Sequence, residues 1–295
     1  MTTTQQSGKP ATSAFTAFVR RHPFALFAAL ACLFGWGIFI AAGLGFGSDP
    51  DNMPLGPIMA AASVSALLGR TAFRGWARRL RRWGASPRWY AVAVLVPTAI
   101  TVGLVLVNHL FGAPLPTADQ LSAWPDVLAT FVVMLVMVGI GEEAGWSAFA
   151  APLLGKHAFV VRWAMLASVR ILWHLPLMLA GLLPWTIGIV GNAAWQLIVL
   201  CMLDSTDGRW PLAAVWHATL NATSGGFAFT MVEGADKARL GVLLSVAYVL
   251  VAVAMVAVTR PTAGSRPLGS GDGRPLARPG HGAGQGGSAP VLVQR

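Results

Sequence analysis

Apolar runs that approach or exceed the ~20 residues a helix needs to cross hydrocarbon recur along this chain, and they constrain its fold most. Hydrophobic residues make up 55% of it and charged residues only 11%, against roughly 25% charged in a soluble domain. Its mean hydropathy is +0.63. The pattern predicts an all-α, polytopic helical membrane protein with about eight spans. They run approximately over 24–46, 55–69, 89–111, 126–149, 159–180, 185–203, 210–230 and 240–259. The second is the shortest and rests on PLGPIMAAASVSALLG.

Arginine placement orients the spans. Residues 70–88 carry seven arginines and no acid, which puts this loop in the cytoplasm by the positive-inside rule. Alternation then places Asp49, Asp51 and Asp119 outside, and Lys156, Arg162 and the basic tail inside. A multi-pass protein of the cell membrane follows, with both termini cytoplasmic. Residues 1–23 are its N-terminal cytoplasmic segment and 24–260 its transmembrane domain. Residues 261–295, rich in Gly, Pro and Arg, read as a disordered tail. The first apolar run lacks a convincing small-residue cleavage site, so it reads as a retained span. The net charge of +10 reflects topology and contact with the lipid bilayer, and no nucleic-acid partner is expected. Cys32 and Cys201 both lie in apolar runs, which argues against a disulfide framework or a thiolate metal site. Trp89, Trp124, Trp163, Trp185 and Trp210 sit near predicted helix ends and fit interfacial anchoring.

Against this apolar background the polar residues stand out. The chain has three glutamates, and two of them, Glu142 and Glu143, are adjacent inside FVVMLVMVGIGEEAGWSAFAAPLL. A carboxylate near hydrocarbon is costly, and two adjacent ones repel, as general acid–base chemistry inside a membrane requires. Span five holds Arg170 and His174, in SVRILWHLPLML; span seven holds His217 and Asn221, in AAVWHATLNATSGG. His217 and Asn221 are four residues apart and share a helix face. Pro176 cannot donate a hydrogen bond back to Leu172, which predicts a bend around His174. Singly these signals are weak, because a lone His or Asn in a membrane helix is commonly an interhelical hydrogen-bonding group. A glutamate pair can also snorkel from a helix end. Together, on spans four, five and seven, they form a candidate catalytic constellation lining one cavity open to the cytoplasm.

GEEAGW at 141–146, WHLP at 173–176 and HATLNAT at 217–223 resemble the three motifs of the CAAX-protease and bacteriocin-processing family of intramembrane proteases. That family includes the type II CAAX prenyl endopeptidases. The resemblance covers residues 120–225 or so, with the motifs in the family's order. It implies an intramembrane endopeptidase. Glu142 would take a proton from the attacking water, and His174 would help bind and polarise that water. His217 and Asn221 would face the oxyanion, and Glu143 would hold the site in place. In a metal-dependent version His217 would join Glu142 and His174 as zinc ligands; no other cofactor is implied. The chemistry can also be written with glutamate alone, and no His-Glu-x-x-His motif is present. The Arg-, Ala- and Gly-rich composition points to a bacterial source, where the expected substrate is a peptide or membrane protein rather than a prenylated CAAX chain.

The chain departs from the family pattern twice. Ser147 stands where Glu-Glu-x-x-x-Arg would place arginine, and Arg170 stands where a phenylalanine usually precedes the second-motif histidine. One basic residue lost and another gained suggest a swap, with Arg170 pairing with Glu143 from the neighbouring helix. Two other classes stay open. A degenerate, non-catalytic scaffold or immunity protein would accommodate Ser147; a proton-coupled transporter would use the same residue types but usually shows related halves, and no repeat is visible.

Overall fold

The computed structural model describes residues 14–45 and 50–260. The tail expected over 261–295, most of the N-terminal segment and Asp49 lie outside the described residues, as does the side chain of Asp51. Every regular element among the described residues is helical. The principal helices are α1 (Ala14–Arg21), α2 (Pro23–Gly43), α3 (Gly56–Leu67), α4 (Arg70–Leu80) and α5 (Pro87–Leu110). They continue with α6 (Asp126–Leu153), α7 (Phe159–Trp173), α8 (Ile187–Ser205), α9 (Trp210–Leu220) and α10 (Gly234–Thr259). Five of these, α2, α5, α6, α8 and α10, are long and apolar enough to cross a membrane, which marks a membrane protein.

The remaining three expected spans are shorter helices: 12 residues in α3, 15 in α7 and 11 in α9. At ~1.5 Å per residue none covers the ~30 Å of hydrocarbon. Each is cut short for a local reason. A 3₁₀ turn over Pro50–Leu55 precedes α3 and contains Pro54. The helix α7 ends at Trp173, where the bend was expected, and a five-residue helix, Leu175–Leu179, resumes beyond His174. Pro176 brings no N–H to that junction. Beyond α9 the chain widens into a π segment, Asn221–Gly225.

Packing centres on α6. The hairpin of α2 and α3 lies against its Gly141–Gly145 stretch, and α9 fits between α6 and α5. On the other side α8 joins α7 to α10, which also contacts α5. Trp146, Trp173, Trp210, Trp216, Phe27 and Phe149 are fully buried within this bundle. Trp210 therefore does not anchor at the interface: it lies under α4, and its indole N–H donates to Arg79 O at 3.0 Å. Trp124 and Trp185 are exposed, as interfacial tryptophans would be.

Two basic features placed on the cytoplasmic side turn out to be packed. Arg162 is buried in α7, where it makes a bidentate pair with Asp204 of α8 at 3.0 and 2.8 Å. The arginine-rich stretch contains α4, a helix whose Trp76 is buried against α6. At the opposite end of the bundle, Asn108 of α5 accepts from Arg239 Nε at 2.7 Å and donates to Asp236 O at 3.1 Å. These links fix α7 to α8 and α5 to α10.

Candidate active site

Glu142 and Glu143 lie on a five-residue α-helical stretch, Gly141–Gly145, with π segments on both sides, Leu135–Ile140 and Trp146–Ala150. A π turn rotates the residues after it relative to an uninterrupted α-helix, and such turns are frequent at functional sites. Here they set both carboxylates inside the protein: Glu142 is 3% exposed and Glu143 0%. Gly141 and Gly145 face the other way, onto the 3₁₀ turn before α3 and onto α3 itself. A Cβ at Gly141 would meet Pro54 O at 2.9 Å, and one at Gly145 would meet Pro57 C and O at 2.5 Å. Glycines one turn apart thus let α6 approach the backbone of that turn and of α3 closely, which turns the glutamates toward α7 and α9. The GEEAG string carries this packing signal in its small-x-x-x-small spacing, although the glutamates draw the eye first.

Glu143 is held from three elements. Arg170 Nη2 of α7 lies 2.7 Å from its Oε1, and His217 Nδ1 of α9 lies 3.1 Å from the same oxygen. Ser147 Oγ, one turn along α6, donates to Oε2. The Arg170 guanidinium also lies 5.3 Å from the centre of the Trp146 ring, a cation–π distance. Arg170 and Ser147, the two positions that depart from the family motifs, therefore both touch Glu143. Glu142 is different. Its Oε2 is buried and closes no hydrogen bond, nor does the buried Nε1 of Trp146 one turn along. A buried carboxylate oxygen without a partner is expensive unless a water or substrate group meets it.

The two histidines are held by different partners. A carbonyl oxygen accepts only, so His174 Nδ1, 2.8 Å from Arg170 O, carries the proton and leaves the Nε2 lone pair free. His217 spends Nδ1 on Glu143 and rests beside the Trp195 ring, 5.1 Å between centroids. Asn221 begins the π segment one turn beyond His217 and is half-buried.

Glu142, Glu143 and His217 offer ligand atoms within 4.8 Å of one another. The ligand set implied for zinc, Glu142, His174 and His217, does not make up such a group among the described residues. Zinc needs its donors ~2.0–2.2 Å from the ion, so that set would have to close further. Within the group that does form, Glu143 is unsuited to a metal, since both its oxygens already accept from Arg170, His217 and Ser147. Arg170 supplies the positive charge there instead.

Near His174, an apolar cleft of about 450 Å³ opens between α2 and the Leu175–Leu179 helix, lined by Trp36, Phe39, Leu175, Pro176 and Leu179. Trp36 Nε1 donates to Trp173 O at 3.0 Å and Trp173 Nε1 to Ala31 O at 3.1 Å, so α2 is tied to the break in α7. No family model and no curated protein matches the sequence.

Proposed function

We propose that the protein is an intramembrane endopeptidase that hydrolyses a peptide bond of a membrane-associated peptide or membrane protein. One observation carries this reading: of two adjacent buried glutamates, Glu143 is fully engaged while Glu142 Oε2 has no hydrogen-bond partner. That asymmetry divides the pair into a positioned carboxylate and a working one. The motif resemblance to the CAAX-protease and bacteriocin-processing family supports the same assignment. The reading includes eight crossings, in which α3, α7 and α9 are completed by the short segments beside them, and places the site toward the cytoplasm.

In this mechanism a water bridges Glu142 Oε2 and the lone pair of His174 Nε2. Glu142 takes a proton from the water as its oxygen bonds to the scissile carbonyl carbon, the step a general base accelerates. The Asn221 amide then donates to the oxyanion, with His217 beside it. As the C–N bond breaks, Glu142 returns its proton to the amine nitrogen. The apolar cleft beside His174 suits a hydrophobic part of the substrate. This mechanism uses no metal, since Arg170 supplies the positive charge beside Glu143.

Cleavage of a quenched lipopeptide library by detergent-purified protein tests this reading. Turnover that persists in a metal chelator and disappears in Glu142→Gln supports it. A folded wild-type protein that cleaves nothing would move the assignment to a non-catalytic scaffold.

A further inference from the structure

The helix α4 has two unlike faces. Arg70, Arg74 and Arg78 are exposed and recur every fourth residue, with exposed Arg81 just beyond; Trp76 is buried and Ala72, Arg79 and Leu80 are half-buried. The sequence has no Asp or Glu between Asp51 and Asp119 to offset the arginines. Burial, and then the charges of Arg82 and Arg78, draw the Arg79 pKa below its usual value. More positive charge stands at the same end of the bundle. The helices α2 and α3 form a hairpin, so the end of α1, with exposed Arg20 and Arg21, lies at the end where α4 begins. Exposed Phe73 and Trp83 add apolar and aromatic groups of the kind that seat at a headgroup boundary.

The buried face of α4 grips the segment that carries the glutamates. Trp76 Nε1 donates to Ala144 O at 3.0 Å, and Arg79 Nε donates to Ala148 O at 2.8 Å. Ala144 follows Glu143 directly, and Ala148 lies within the π segment next to it. Two side chains one turn apart on α4 thus hold two carbonyls one turn apart on α6. Trp210 Nε1, at the start of α9, holds Arg79 O from the other side. A displacement of α4 would therefore act on the backbone of α6 beside Glu142 and on the first turn of the helix bearing His217.

We infer that α4 is a docking helix for anionic phospholipid headgroups, and that its seating on them is transmitted through Trp76 and Arg79 to the α6 segment bearing the glutamates. The exposed arginine stripe matches phosphate charge in the way basic amphipathic helices do at a membrane surface. The inference does not depend on the peptidase reading, and its test involves no cleavage.

Hydrogen exchange of the full-length protein in vesicles of phosphatidylcholine alone, and of phosphatidylcholine with phosphatidylglycerol, provides that test. For the wild type, phosphatidylglycerol should slow exchange at least about twofold in 70–82 and in 141–153. The triple variant R70Q/R74Q/R78Q, altered only at exposed side chains, should lose both effects. Trp76→Phe, which keeps a ring but loses the indole donor, should keep protection of 70–82 and lose that of 141–153. Salt at ~0.5 M should erase the wild-type difference, a control that holds even if the triple variant fails to fold. Equal exchange of the wild type in the two vesicles, or a folded triple variant that responds as the wild type does, would overturn the docking site. Protection of 141–153 that survives in Trp76→Phe would overturn the transmission.

Discussion

Glu143 accepts from Arg170, His217 and Ser147 while buried at 0% exposure, so its charge is tolerable only while its partners remain. Arg170→Gln strips the ion pair and should lower stability by about 3–5 kcal/mol, the range for breaking a buried pair. Ser147→Ala removes one hydrogen bond to a charged group and should cost about 1–3 kcal/mol. If Arg170 replaces the arginine that the family pattern places at position 147, Ser147→Arg should rescue Arg170→Phe, because position 147 already touches the same carboxylate. Thermal unfolding of the two singles and the double in one detergent decides it; a double variant less stable than Arg170→Phe alone would sink the swap. Much of this was legible in the sequence, since a charge inside an apolar helix needs a partner and Arg170 had few to choose from. The division between Glu142 and Glu143 was assigned by resemblance, and what sets it physically is which carboxylate the α7 and α9 side chains reach. The failure of His174 to join the compact carboxylate–histidine group was hidden, because spacing along the chain says nothing about the gap between helices.

Span positions were readable wherever a long apolar helix forms, including the π-interrupted α6, while the breaks within helices were not. A hydropathy window averages over the junction at Trp173–Leu175 and over the π segments, because breaking an apolar helix need not change its composition. The helix α4 was hidden by its arginines, although Ala72, Trp76 and Leu80 at four-residue spacing carry the amphipathic signal. The glycine contact between α6 and α3 yields a prediction with an internal control. Gly145→Ala forces a Cβ to within 2.5 Å of Pro57 backbone and should destabilise by about 1–3 kcal/mol through overpacking. Gly37→Ala, where a Cβ meets nothing within 4 Å, should be neutral or stabilise by up to ~1 kcal/mol. Equal unfolding midpoints for the two variants would contradict the close approach of α6 to α3.

At the scale of the whole molecule, charge asymmetry orders the proposal: the arginines of α1 and α4 lie at one end, and Asp119 belongs to the loop placed at the other. The native Cys32 and Cys201 are buried, so single reporter cysteines can be placed at exposed positions. Trp83→Cys should react with a membrane-impermeant maleimide only in inside-out vesicles, and Asp119→Cys only from outside the cell. The reverse pattern would invert the topology and put the candidate site at the other face. The central claim remains that Glu142 performs the chemistry and Glu143 positions it. Its most direct test measures cleavage rate and unfolding midpoint together for wild type, Glu142→Gln and Glu143→Gln. The account predicts that Glu142→Gln loses ~10²–10⁴-fold in rate, the range of general acid–base catalysis, with its midpoint retained. Glu143→Gln should lose midpoint as well as rate. Glu142→Gln turning over at the wild-type rate, or a folded wild type that cleaves no peptide, would contradict it.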